Sequence, residues 1–261
     1  MILLVVFGVG LTAGFVDAIA GGGGLIMLPG LLFTGLPVGS AIATNKLCGT
    51  FGALTSTLKF AQSKQIDRYA CWLMALPVIV GAYLGSRSIG LLPSAWAEPT
   101  VVVLMAIITL FVVFKPSFGV AQPSGTSGIE AMKPVVSSSA TVSLPRRWGS
   151  AIAGGAIGFH DGFFGPGTGV FLVFTLLSLF PIDFLRATGS TKLLNFLANV
   201  TALITFAMAG NIDYAKGSAG ALGVIIGSFV GASFATKKGT KLIKPIFIVV
   251  TIALILKLLL S

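Results

Sequence analysis

The sequence predicts an all-α polytopic membrane protein built as two inverted repeats. Each repeat has a glycine-broken first segment, re-entrant or discontinuous, followed by three transmembrane helices. Three observations lead there: a composition too apolar for a water-facing surface, eight apolar segments, and a second half that repeats the first. The 261 residues are 55% hydrophobic and 9% charged, with a mean hydropathy of +1.01; a soluble domain carries about 25% charged residues. The net charge of +10 does not indicate a nucleic-acid partner, because the basic residues sit in short gaps between apolar runs and no RNA-binding signature accompanies them. In a membrane protein the same excess reads as cytoplasmic loops facing anionic lipid.

A helix needs roughly 20 apolar residues to span the hydrocarbon core. The apolar segments cover 2–33, 41–62, 69–91, 98–114, 148–180, 184–209, 214–235 and 243–260. No basic stretch precedes the first run and no clean small-residue cleavage site follows it, so it reads as a membrane element and not as a removable signal. The first and fifth segments are longer than one span needs, and both are interrupted. The first contains Asp17-Ala18-Ile19-Ala20-Gly21-Gly22-Gly23-Gly24, and the fifth His160-Asp161-Gly162-Phe163-Phe164-Gly165-Pro166-Gly167-Thr168-Gly169. Glycine is a poor interior helix former and proline lacks a donor, so each segment is expected to break into two shorter helices. Such backbone is tolerated at membrane depth only where protein or a water-filled cavity covers it. Between the fourth and fifth segments, 115–147 is rich in Ser, Pro and Gly and reads as a flexible linker. The expected organisation is a first membrane repeat at 1–114, a cytoplasmic linker at 115–147 and a second membrane repeat at 148–261.

The repeat is visible residue by residue. Gly14-Phe15-Val16-Asp17 matches Gly158-Phe159-His160-Asp161, and Thr44-Asn45-Lys46-Leu47 matches Ser190-Thr191-Lys192-Leu193. Ile66-Asp67 falls on Ile212-Asp213, and Gly81 and Gly85 fall on Gly227 and Gly231. These last pairs read as small-residue contacts between helices. Charge sets the topology. The linker carries Lys115, Lys133, Arg146 and Arg147, and the loop after the seventh segment carries Lys237, Lys238, Lys241 and Lys244. Eight single crossings cannot place both inside, as the positive-inside rule requires. The conflict disappears if the first and fifth segments enter and return. Lys64, Arg68 and Arg186 then also lie inside, and Arg87 and Lys216 outside. Each half makes an odd number of passes, which inverts one against the other, the arrangement that places broken helices at a midplane site in secondary transporters.

At these residues the chain resembles the TauE/SafE family of sulfite and organosulfonate exporters. The resemblance rests on Gly14 to Gly24, on Ala43-Thr44-Asn45-Lys46-Leu47, on Asp161 to Gly169 and on Thr191-Lys192-Leu193-Leu194-Asn195, with Lys238 to Pro245 at the end. It implies a multi-pass plasma-membrane permease for a small sulfur-containing anion. One variation is Gly189-Ser190-Thr191-Lys192, where relatives often carry an Ala-His-Thr-Lys type of sequence.

An anion crossing a bilayer needs its hydration replaced by donors. Gly21, Gly22, Gly23 and Gly24 open a short helix near Leu25, and the break through Gly165, Gly167 and Thr168 opens another near Val170. Helix N-termini present unpaired N–H groups and a positive dipole end, and glycine lets backbone approach a ligand. The plainer alternative is tight packing around a bend. Lys46 and Lys192 occupy equivalent positions and are candidates for anion contact; the alternatives are snorkelling or pairing with Asp17 or Asp161. Thr44, Asn45, Ser190, Thr191 and Asn195 are donor candidates, with interhelical hydrogen bonding as the alternative. Asp17 and Asp161, acids inside apolar runs, are read as proton-coupling groups or as counter-ions. His160 titrates near neutral pH, but Val16 stands at its repeat position.

Cys48 and Cys71 form no CxxC pair, and His160 is the only histidine, so no metal site and no cofactor is expected. No nucleophile–base arrangement or phosphate loop points to an enzyme. The leading reading is a secondary transporter exporting sulfite or a small organosulfonate, in which the acids either couple transport to protons or serve as permanent counter-ions. The alternatives are an uptake permease or channel for a related anion such as thiosulfate, an intramembrane enzyme, or a scaffold.

Overall fold

In the computed structural model, residues 1–89, 103 and 144–238 are described. Eight helices account for nearly all of them: α1 (Ile2–Ala20), α2 (Gly24–Leu32), α3 (Val38–Gln62), α4 (Arg68–Ile89), α5 (Leu144–Phe163), α6 (Thr168–Leu179), α7 (Phe184–Met208) and α8 (Tyr214–Lys238). No strand occurs among the described residues. The expected segment at 98–114 apart from residue 103, the segment at 243–260 and most of the linker, with Lys115, Lys133, Lys241 and Lys244, lie outside them. The linker was expected to run to 147, but α5 already begins at Leu144 and takes Arg146 and Arg147 into its first turn. Pro145 suits that position, because the amide it lacks has no partner in a first turn.

Four helices, α1, α4, α7 and α8, are long and apolar enough to cross a membrane. The helices α3, α7 and α8 have 25 residues each, or about 37 Å at the usual rise, against a core of about 30 Å. The nine residues of α2 and twelve of α6 reach only about 14 and 18 Å, so neither crosses alone. Large apolar side chains such as Trp72, Leu76, Ile152, Leu222 and Phe229 face outward. In water such a surface would be a liability; against lipid it is what a spanning bundle requires.

Both interrupted segments break where glycine and proline predicted. The left-handed Gly21 (φ 70°) ends α1 and donates its N–H to the carbonyl of Asp17; a side chain there would be strained. Its counterpart Gly165 (φ 100°) ends α5, and Gly167 (φ 84°) opens α6. The short helices start at Gly24 and Thr168, one and two residues earlier than the sequence reading placed them.

Close contacts fix the helix directions. Gly154, Gly158 and Gly162 of α5 lie against Met74, Val78 and Ala82 of α4 in the same order, so these helices run parallel. In the same way Gly10 and Gly14 of α1 meet Gly220 and Val224 of α8. Helix α3 runs antiparallel to α7: Gly49 meets Asn199, and Gly189 meets Phe60 and Gln65. It runs parallel to α8, with Cys48 and Gly52 beside Gly220 and Val224. Gly81 and Gly85 press on α5 backbone, and Gly227 and Gly231 on α1 backbone, the close helix packing expected of them. Thus α1, α3 and α8 run one way and α4, α5 and α7 the other. Lys64, Arg68, Arg146, Arg147, Arg186, Lys237 and Lys238 consequently gather at one end. The first residue and Lys216 lie at the opposite end, where Lys216 pairs with Asp213 at 2.9 Å. Lys216 also donates its backbone N–H to Asp213, and these hydrogen bonds hold the Asp213 carboxyl below the usual carboxylate range.

Candidate functional site

The two breaks meet inside the bundle. A Cβ on Gly21 would stand 2.7 Å from the Gly169 backbone, and one on Gly24 would stand 3.1 Å from Pro166. The chain ends α1 and begins α6 in direct backbone contact, which only glycine permits at both positions.

Beside this contact lie two ion pairs, each joining a lysine from one side of the linker to an aspartate from the other. Lys46 is the ninth residue of α3 and Lys192 the ninth of α7. Lys46 Nζ lies 2.8 Å from Asp161 Oδ2, with side-chain exposures of 1% and 2%. Lys192 Nζ lies 3.0 Å from Asp17 Oδ2, with exposures of 0% and 17%. Lys192 also donates to the Asp17 carbonyl. The second oxygen of Asp17 accepts the N–H of Gly23 at 3.1 Å, at the start of α2. A carboxylate therefore sits on this helix N-terminus, satisfying a donor that has no partner within the helix. Removing a lysine and an aspartate from water is costly unless each finds the other. Here the snorkelling alternative gives way to pairing.

A cleft of about 490 Å³, counting all the space between its lining atoms out to the mouth, opens next to these pairs. Of the residues singled out from sequence, Gly21, Gly23, Gly24, Asn45, Lys46, Gly165, Asn195, Asp17 and Asp161 line it. The others stand away from its wall. Thr44 and Ser190 accept the backbone N–H groups of Asp213 and Asp67, at 3.0 and 2.8 Å, so these equivalent hydroxyls tie down equivalent loops. Thr191 is fully buried, and its hydroxyl has no hydrogen-bond partner among the described residues. Lys192 lies behind Asp17. Thr168 donates to the Gly165 carbonyl and lies 3.3 Å from His160 Nδ1. His160 stands edge-on to the rings of Phe164 and Phe171, and Gly22 and Gly167 complete the breaks without facing the cleft.

The sequence reading missed Cys48, Gly49, Gly52 and Asn199, which also line the cleft. The available signal was spacing: Asn199 follows Asn195 by one helical turn, and Gly49 and Gly52 follow Lys46 at three-residue steps. The cleft is not symmetric about the repeat. Where it has Ala13, Met27 and Cys48, the counterpart positions hold the larger Ile157, Phe171 and Leu194, and buried Phe164 replaces Ala20. No group of three or more metal-ligating side chains occurs among the described residues. The cleft wall offers one lysine, two aspartates, three side-chain amides and glycine backbone, which suits binding and release of a charged solute.

The family model described as "Sulfite exporter TauE/SafE" matches residues 6–258. The chain is 36% identical to "Probable membrane transporter protein ORF9" of Sinorhizobium sp, over 99% of this chain and 92% of that protein. It is 31% identical to a "Probable membrane transporter protein" of Haemophilus influenzae, over 98% and 94% of the two chains. It is 30% identical to "Probable membrane transporter protein YfcA" of Escherichia coli, over 99% and 90%. No solved structure matches the chain.

Proposed function

Because the chain belongs to the sulfite exporter TauE/SafE family and is a membrane transporter, we propose that it exports sulfite or a small organosulfonate across the plasma membrane. The carrying observation is the pair of crossed lysine–aspartate contacts where two broken helices meet beside a polar cleft. The anion takes its place among the N–H groups of the breaks, the amides of Asn45 and Asn195, and Lys46. It replaces there the water it gives up. Asp17, the more exposed of the two acids on the cleft wall, accepts the coupling proton; Asp161, 2% exposed and paired with Lys46, acts as a fixed counter-ion.

In this reading the halves at 1–114 and 148–261 are inverted repeats, joined by a cytoplasmic linker. The opposed directions of α1 and α5, of α3 and α7, and of α4 and α8 support it. So does the gathering of Lys64, Arg68, Arg186, Lys237 and Lys238 at one end, which becomes the cytoplasmic end. The short α2 and α6 support re-entry in place of full crossing. The decisive test is flux in liposomes holding the purified protein, with sulfite, thiosulfate, sulfate and methanesulfonate under gradients of either direction and an imposed pH difference. Sulfite or the sulfonate is expected to move faster than in empty liposomes, and faster with the proton gradient. No flux of any of the four would end the proposal.

A further inference from the structure

We infer that Asn199, a residue of the cleft wall, is a positioning residue that turns the side-chain amide of Asn195 so that its N–H₂ group faces the anion. The inference rests on the proposed function for the ligand and on the following geometry for the residue. Asn199 Nδ2 lies 2.8 Å from the backbone carbonyl of Asn195 and 2.6 Å from Asn195 Oδ1. The two ends of an asparagine amide are told apart by their neighbours. A backbone carbonyl only accepts, so the Asn199 atom facing it must be the N–H₂ end. That group donates its second proton to the atom 2.6 Å away, which must therefore be the oxygen of Asn195. The oxygen of Asn195 is thus engaged, and its N–H₂ group remains free.

That free group is directed to the cleft. Asn195 and Asn199 are 7% and 5% exposed, and both line the cavity with Asn45 and Lys46. The side chain of Asn195 makes no further hydrogen bond among the described residues, yet it leaves no buried atom unsatisfied. Its donors open onto the cavity. Two uncharged N–H donors beside a lysine favour a ligand rich in acceptor oxygens, such as an oxyanion. On its other side the amide of Asn199 has room only because residue 49 is glycine: a Cβ there would stand 2.9 Å from Asn199 Oδ1. Glycine leaves that oxygen its room.

The test is a double-mutant cycle on the purified full-length protein, with sulfite affinity measured by calorimetry for wild type, N195A, N199A and N195A/N199A. Replacing Asn199 frees Asn195 to rotate, so N199A is expected to weaken sulfite binding by about tenfold, the order of one hydrogen bond to a charged ligand. With Asn195 already removed there is no amide to orient, and N199A is expected to change affinity less than about twofold. Loss of thermal stability, by contrast, is expected in both backgrounds. If N199A does not survive purification, G49A displaces the same amide from the other side and must show the same dependence on Asn195. An equal loss of affinity in both backgrounds, or no loss in the presence of Asn195, overturns the positioning role while leaving the transport reading standing. A wild-type protein that binds neither sulfite nor methanesulfonate overturns both.

Discussion

Removing one member of the Lys46–Asp161 pair should cost far more than removing both. In Lys46→Met the Asp161 carboxylate, 2% exposed and 2.8 Å from its cation in the intact protein, loses its partner and keeps only its narrow edge on the cleft. Breaking a buried pair in this way costs about 3–5 kcal/mol, whereas replacing both members with apolar groups of similar volume is often neutral. For a chain of this size about 1 kcal/mol shifts the melting midpoint by roughly 2–4 °C. Lys46→Met should therefore melt about 6–20 °C below wild type, and Lys46→Met/Asp161→Leu close to it. Lys192→Met should fall between them, by about 1–2 kcal/mol, because Asp17 keeps the Gly23 N–H and is 17% exposed. The assay is the loss of the monodisperse peak on size-exclusion chromatography after heating detergent-solubilised protein. Equal losses in the single and double variants would refute the pairing argument, as would a Lys192→Met protein less stable than Lys46→Met.

Two further perturbations address topology and the breaks. With Cys48 and Cys71 replaced by alanine, a cysteine at Ser127 should react with a membrane-impermeant maleimide only after cells are permeabilised; labelling of intact cells would remove the cytoplasmic linker and the inversion with it. Gly23→Leu and Gly167→Leu should abolish stabilisation by sulfite while the protein still reaches the membrane, since a Cβ on Gly23 would stand 2.5 Å from Asp17 Cβ and Gly167 has a left-handed backbone. Gly81→Leu, which strikes α5 backbone, should lower stability instead; full sulfite stabilisation of the first two variants would show that the breaks do not bind the anion.

Much of this architecture was legible in the sequence because glycine and proline act locally. The interruptions at Gly21 and Gly165 follow from what those residues cannot support inside a helix. The close helix contacts follow from what a missing Cβ allows at Gly81 and Gly227. The partners of Lys46 and Lys192 were a different problem. Both aspartates were visible as acids in the interior of apolar runs, yet nothing local says that Lys46 reaches Asp161 and not Asp17. That choice is made by the antiparallel crossing of α3 and α7 and by the docking of α6 on α1. The roles of Thr44 and Ser190 escaped for the same reason. Their acceptors serve loops at Asp213 and Asp67, which lie beside them only in the folded bundle. Asn199 was passed over because an asparagine one turn from another is a weak signal until a cavity lies next to both.

The crossing of the lysine–aspartate pairs has a consequence in time. Asp161 follows Lys46 by 115 residues, which at about 5–20 residues per second is roughly 6–23 seconds of synthesis. Lys192 follows Asp17 by 175 residues. The nascent chain thus commits one acid and one base to the membrane before the residue that will neutralise either has left the ribosome. Both must wait in contact with water, at the membrane surface or in the insertion channel. Helices α1 to α4 are therefore expected to be held loosely until α7 arrives, and a ribosome that stalls in the linker leaves behind a half that cannot close.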